Sequence, residues 1–251
     1  MSFILTSDAN GVRTIAFNRP DALNAFNPAL LRELTGALRA ASIDNAVGAV
    51  VLCGTGRAFS AGVDLKLLQG ATPVAGRISA EFDGEAFEAA AAIRRCLVPV
   101  IAKVHGFCFT GALELALHCD FIFTTADTKF GDTHAKWGLR PTWGMSQNLA
   151  RAVGVRRARQ ISYAAQPFTG ADALAWGLAN AAYEAREALD EGAAKCASDI
   201  AKASRGAVSA YKKLYRVHEE NRALEDALAE EVRRDFPEIT DTAERLKAFG
   251  S

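Results

Sequence analysis

Apolar and polar residues alternate with period two from Val12 to Phe17, and a partner run begins at Ile4, with Asp8-Ala9-Asn10-Gly11 between them. Alternation around an Asn-Gly turn predicts a β-hairpin. Beyond the loop NRPDALNAFN the period changes. Leu30, Leu31, Leu34, Leu38 and Ala41 recur at helical spacing behind Asn27-Pro28, an N-cap followed by a first-turn proline. The spacing predicts a surface helix with one buried stripe, ending at the turn Asp44-Asn45. Val47 to Cys53 and Val98 to Val104 are apolar throughout and predict strands covered on both faces, with a third at Cys119 to Thr124. Helical patterns lie between them, so the fold class is α/β.

Two stretches break this rhythm. Gln69 to Glu88 mixes Gly, Pro and charges with weak periodicity, which predicts either a mobile segment that covers a binding pocket and orders when it fills, or a frayed helix start. From Arg186 to Ser251 the chain is Ala-rich, charged and helical. We therefore expect a core domain over residues 1–185 and a C-terminal helical region over 186–251, its apolar positions packing on the body or on another subunit. Thr169-Gly170-Ala171-Asp172 reads as a capping box that opens the last helix of the core.

Composition narrows the function classes. The 251 residues carry 29 basic and 29 acidic side chains, a net charge of zero. Nucleic-acid binding normally needs a basic excess on one face, so it is not expected. No apolar stretch reaches the ~18 residues of a membrane span, and the start has no basic leader, so a cytoplasmic location is expected. Cys53, Cys96, Cys108, Cys119 and Cys196 are odd in number and mostly embedded in apolar runs, as reduced core residues are. CxxC and HExxH are absent, and no metal site is expected.

Candidate chemistry gathers in two glycine-containing turns, each following a buried strand: GTGRAFSAGVDLK at 54–66 and HGFCFTGALELALHCD at 105–120. Neither has phosphate-loop spacing. Each can expose N–H groups lacking intrahelical acceptors, and two such turns face to face would hold an oxyanion; either alone reads equally well as a tight connection. Glu114, three residues after Gly111, shares a helix face with that N–H. It reads either as a base beside the hole or as an acid placed to favour the helix dipole.

Together, NRPDALNAFN, RAFSAGVDLK, HGFCFTGALELALHCD and KFGDTHAKWGLRPTWG resemble, in order, the enoyl-CoA hydratase/isomerase family, the crotonase superfamily, over roughly residues 3–180. The resemblance implies a crotonase-like α/β fold, a spiral of strand-strand-helix units followed by a C-terminal helical subdomain, in a homotrimer or dimer of trimers. It implies an acyl-CoA thioester substrate and no separate cofactor, coenzyme A arriving as part of the substrate. The Val63 and Gly111 N–H groups would form the oxyanion hole and Glu114 would transfer protons. Ala61, Asp64, Leu65 and Lys66 would line the pantetheine channel, with Arg19, Ala22 and Leu23 near the nucleotide; Lys66 and Arg19 read equally well as solvated surface charges.

Two positions depart from the family pattern. His134 stands where hydratases carry a second glutamate, able to replace the acid, orient water, or hydrogen-bond Glu114 or Asp132. Trp143 stands where small residues are usual, and would narrow the acyl pocket or fill the core. Hydration of a 2-enoyl-CoA is the leading expectation; isomerisation through one glutamate and non-catalytic acyl-CoA binding are the alternatives.

Overall fold

The turn at Asn10-Gly11 joins β1 (Ile4–Ala9) to β2 (Val12–Phe17) in an antiparallel hairpin with Ala9 opposite Val12, as the alternation predicts. The computed structural model describes residues 2–64, 66–67, 74–219, 224–233 and 235–241. The predicted surface helix is α1 (Pro28–Ile43), capped by the Asn27 side chain, which accepts from the Leu30 N–H at 2.8 Å. Leu30, Leu31, Leu34, Leu38 and Ala41 are fully buried. Each such leucine contributes about 1.5–3 kcal/mol of transfer free energy, and this stripe fixes which face of α1 meets the sheet.

The three apolar runs become β3 (Ala49–Gly54), β4 (Val100–Val104) and, after β5 (Phe107–Phe109), β6 (Phe121–Thr125). With β7 (Lys129–Gly131), β8 (Phe168–Thr169) and β9 (Ala181–Tyr183) they form two sheets. The larger runs β1-β2-β3-β4-β6-β9, parallel from β2 onward; the smaller runs β5-β7-β8. After β3 the chain crosses to the small sheet through a bridge between Ser60 and Cys108, after β4 through β5, and after β6 through β7. Each turn of the chain thus contributes a strand to both sheets, which is the expected spiral.

Both faces of the large sheet are covered, which is why its strands are apolar throughout. One face packs on α1 and on α2 (Ala80–Arg95), with Phe82, Ala86 and Ile93 inward. The other receives α7 (Arg186–Lys202), whose Leu189, Ala193 and Ala197 sit on Ala49, Val51, Ile101 and Phe123. Between them come α3 (Gly111–Ala116), α4 (Met145–Val153), α5 (Val155–Ala164) and α6 (Gly170–Ala175). The capping box is present: the Asp172 N–H donates to Thr169 Oγ1 at 3.1 Å and the Thr169 N–H to Asp172 Oδ2 at 2.8 Å. Two further helices, α8 (Arg205–Glu219) and α9 (Leu224–Arg233), follow. No helix among the described residues is long and apolar enough to cross a membrane.

Of the two readings of Gln69 to Glu88, the helix start holds from Ala80 onward and the mobile one is corrected there. The Ser79 hydroxyl caps α2 by accepting from the Phe82 N–H at 3.0 Å, and Phe82, Asp83 and Ala86 are buried. Acids in the first turn and Arg94 and Arg95 in the last complement the helix dipole, so residues 80–88 are part of a capped helix. Val74 and Arg77 close a tight bridge onto which the Arg140 N–H docks through Gly76. Residues 69–73 lie outside the described residues.

Candidate active site

The two glycine turns meet at the floor of a cavity of about 990 Å³. Val63 pairs with Phe26 in a parallel bridge in which the Phe26 N–H donates to the Gly62 carbonyl (2.7 Å) and the Asp64 N–H to the Phe26 carbonyl (3.0 Å). This pairing uses the groups on either side of Val63, so its own N–H points the other way. Gly62, at φ 90°, packs so close to the second turn that a Cβ there would lie 2.5 Å from the Phe109 carbonyl oxygen and 3.5 Å from the Gly111 nitrogen. Only glycine permits that approach.

Gly111 opens α3, where a first-turn N–H has no intrahelical acceptor. Thr110 before it is held at φ 51°, ψ −112°, a costly conformation for a β-branched residue. Its N–H donates to the Gly131 carbonyl at 2.8 Å and its hydroxyl lies 2.6 Å from that of Thr133. That strain turns the helix start toward the cavity. Among the described residues, neither the Val63 nor the Gly111 N–H has a protein acceptor.

Glu114 is 1% exposed. Its Oε1 accepts from the N–H groups of Trp143 (3.0 Å) and Met145 (3.1 Å), while Oε2 lies 3.5 Å from His134 Nε2. Burial pushes its pKa up to about 7, against the lowering influence of His134 and of the two N–H donors. The dipole reading of this residue is therefore insufficient: the carboxyl is fixed at one oxygen, titrates near neutrality, and faces the cavity.

His134 approaches from the opposite side and touches both groups proposed for it. Its Nδ1 lies 2.7 Å from Asp132 Oδ1, and its backbone N–H donates to the same oxygen at 3.2 Å. Burial pushes the Asp132 carboxyl up, but hydrogen bonds from His134 and Ser162 outweigh it and hold the pKa below the usual value. An ionised carboxylate only accepts, so Nδ1 carries the proton and Nε2 is the atom presented to Glu114. Asp132, two residues before His134, was expected only as one of two possible hydrogen-bond partners of that ring and was given no part in the chemistry.

Trp143 is packed in the core and also reaches the cavity. It is 3% exposed, yet it lines the cavity beside Glu114 and Thr142. Its six-membered ring lies over Gly111, where a Cβ would be 2.4 Å from Cζ3, so glycine is required there as well. The ring stacks on Phe82 with centroids 5.3 Å apart and planes at 10°. Its Nε1–H donates to Asp83 at 2.9 Å, and its carbonyl accepts at 2.7 Å from the ring of His118. Asp83, a buried carboxylate on α2, also accepts from the Thr142 hydroxyl (2.8 Å) and from Arg77 (2.8 Å). Sequence reasoning missed it.

Of the other residues carried over, Ala22, Leu23, Ala61, Asp64 and Lys66 line the cavity with Val63, Glu114, His134 and Trp143. Leu65 lies outside the described residues. Arg19 is not in the lining: its guanidinium pairs with Asp64 at 2.9 Å and donates to the Ala25 carbonyl, so it braces the loop that presents Val63. Arg57, Lys136 and Arg140, not anticipated, add exposed positive charge to the cavity rim.

Comparison with known proteins supplies the family. The family model described as enoyl-CoA hydratase/isomerase matches residues 7–249. A probable enoyl-CoA hydratase of Rhizobium meliloti is 40% identical over 230 residues, covering 92% of this chain and 85% of that one. Among solved structures, an enoyl-CoA hydratase of Mycobacterium smegmatis superposes with a TM-score of 0.84 at 32% identity, covering 98% and 96% of the two chains. The Pseudomonas aeruginosa protein DspI superposes with a TM-score of 0.90 at 27% identity, covering 99% and 94%. With two strand-to-helix turns converging on one buried glutamate and a family match over nearly the whole chain, this protein belongs to the enoyl-CoA hydratase/isomerase family.

Proposed function

We propose that this protein hydrates a 2-enoyl-CoA, with Glu114 and His134 as the proton-transfer pair. The observation that carries the reading is the 3.5 Å approach of His134 Nε2 to Glu114 Oε2 at the cavity wall. One water can hydrogen-bond to both atoms at once. As its oxygen bonds to the β-carbon, the π electrons move onto the thioester oxygen, and one member of the pair takes the proton lost by water. The Val63 and Gly111 N–H groups stabilise the resulting enolate, an effect typically worth ~2.7–4 kcal/mol per donor. The enolate collapses as the pair returns a proton to the α-carbon, so the enzyme ends in its starting protonation state. The hydrogen bond from Nδ1 to Asp132 stabilises the imidazolium whenever His134 holds the mobile proton.

Isomerisation needs only Glu114. The second group, oriented by its own carboxylate, favours hydration. The hydratase name of the Rhizobium meliloti relative supports the same choice. Coenzyme A would enter as part of the substrate, its phosphates met by Arg57, Lys66, Lys136 and Arg140 at the rim, with no separate cofactor. The homotrimer or dimer of trimers implied by the family completes the proposal.

The test is mass spectrometry of purified protein with a panel of 2-enoyl-CoA substrates in oxygen-18 water. Hydration places one labelled oxygen in the product, and Glu114→Gln and His134→Ala each slow it by about 10²-fold or more. Double-bond migration without label, insensitive to His134→Ala, would make the enzyme an isomerase.

A further inference from the structure

We infer that Trp143, locked by Asp83, is the end wall of the acyl pocket and restricts the enzyme to short acyl chains. The inference deepens the hydratase reading and rests on it only for the identity of the reacting group. Trp143 is tied to the catalytic carboxylate through its own N–H, on the Oε1 side, while His134 approaches Oε2. Its ring covers Gly111, beside the N–H assigned to the thioester oxygen. An acyl group whose carbonyl sits on the Val63 and Gly111 donors, with its α- and β-carbons between Glu114 and His134, has the indole directly in the path of its tail.

The indole cannot swing aside. Nε1–H is bonded to Asp83, one face is stacked on Phe82, and the backbone is held at both ends, the N–H by Glu114 and the carbonyl by His118. Moving the ring would strip a partner from Asp83, which is buried and otherwise held by Thr142 and Arg77. Asp83 touches no substrate in this arrangement. It is a positioning residue that acts through Trp143.

Binding of two unreactive thioesters, butyryl-CoA and decanoyl-CoA, measured calorimetrically, tests this without relying on turnover. The wild type binds decanoyl-CoA at least about tenfold more weakly than butyryl-CoA, and Trp143→Ala removes or inverts that preference, since even one misfitting methylene is worth ~10-fold or more in a closed pocket. Trp143→Phe keeps the stack on Phe82 and serves where the alanine variant does not fold; it shifts the ratio partway. Asp83→Asn, whose side-chain oxygen can still accept from the indole, retains the preference, whereas Asp83→Leu loses it. Decanoyl-CoA binding as tightly as butyryl-CoA to the wild type, or an unchanged ratio in folded Trp143 variants, would overturn the inference. Hydration of matching 2-enoyl-CoA substrates, followed separately, reports on the activity: its absence removes the hydratase reading and leaves the pocket-length result standing.

Discussion

Replacing Glu114 by glutamine should make the protein more stable at alkaline pH while removing its activity. The carboxyl's pKa rises from the ordinary 4.5 to about 7 because burial disfavours the charged form. At about 1.4 kcal/mol per pH unit, the gap between 4.5 and about 7 corresponds to about 3 kcal/mol of folded-state destabilisation once the group is ionised in both states. The sign follows from proton binding. Between pH 4.5 and about 7 the folded state binds more protons than the unfolded state, so stability falls as pH rises through that window. Glutamine keeps an oxygen for the Trp143 and Met145 N–H groups and never ionises. The variant should therefore differ little from wild type at pH 4 and exceed it by about 3 kcal/mol at pH 8. Urea unfolding of both proteins across this range measures the difference directly. A gap that does not vary with pH would mean that Glu114 titrates as an exposed carboxylate does, and the case for a proton-transfer group poised near neutrality would collapse.

Asp132→Asn offers Nδ1 an amide that can donate as well as accept, so the histidine tautomer is no longer fixed; kcat should fall by about 10²-fold with KM little changed in steady-state kinetics, while Asp132→Glu, which keeps a carboxylate, should lose less, and equal losses in the two variants would refute the tautomer argument. Gly111→Ala drives a methyl into the Trp143 ring, where Cζ3 is 2.4 Å away, and should cost about 1–3 kcal/mol, shift the indole fluorescence and slow turnover. Thr169→Ala removes the capping box of α6, whose residues do not line the cavity, and should cost ~1 kcal/mol in urea unfolding without altering kcat.

What the sequence revealed and what it hid divide along the range of the interactions involved. The hairpin, the stripe of α1 and the Thr169 cap are written in neighbouring residues and could be read locally. The two glycine turns were recognisable because glycine is needed at Gly62, where two backbones nearly touch, and at Gly111, under the ring of Trp143. Asp83 was hidden because its partner Trp143 is sixty residues away and because the Gly- and Pro-containing stretch before it obscured the start of α2. Ser79, the acids Glu81 and Asp83 and the basic pair Arg94 and Arg95 were the signals that mark that helix. Asp132 lies only two residues from His134, yet its importance depends on the direction of one ring nitrogen, which no pattern of residue types records. The small sheet escaped notice because its strands are only two or three residues long, too short for any periodicity to show.

The bridge between Ser60 and Cys108 has an evolutionary consequence. The Ser60 N–H donates to the Phe107 carbonyl at 3.0 Å and the Phe109 N–H to the Ser60 carbonyl at 3.4 Å, so main-chain bonds tie the two donor turns together. A point mutation cannot delete a peptide N–H unless it introduces proline, and the side chain at Val63 contributes nothing to the donor it carries. The pair of N–H groups proposed to hold the thioester oxygen is thus sheltered from most single substitutions, whereas Glu114, His134 and Trp143 can each be exchanged in one step. A lineage built on this scaffold can change which proton moves, or which acyl group fits, by altering those positions singly, without losing its hold on the substrate along the way.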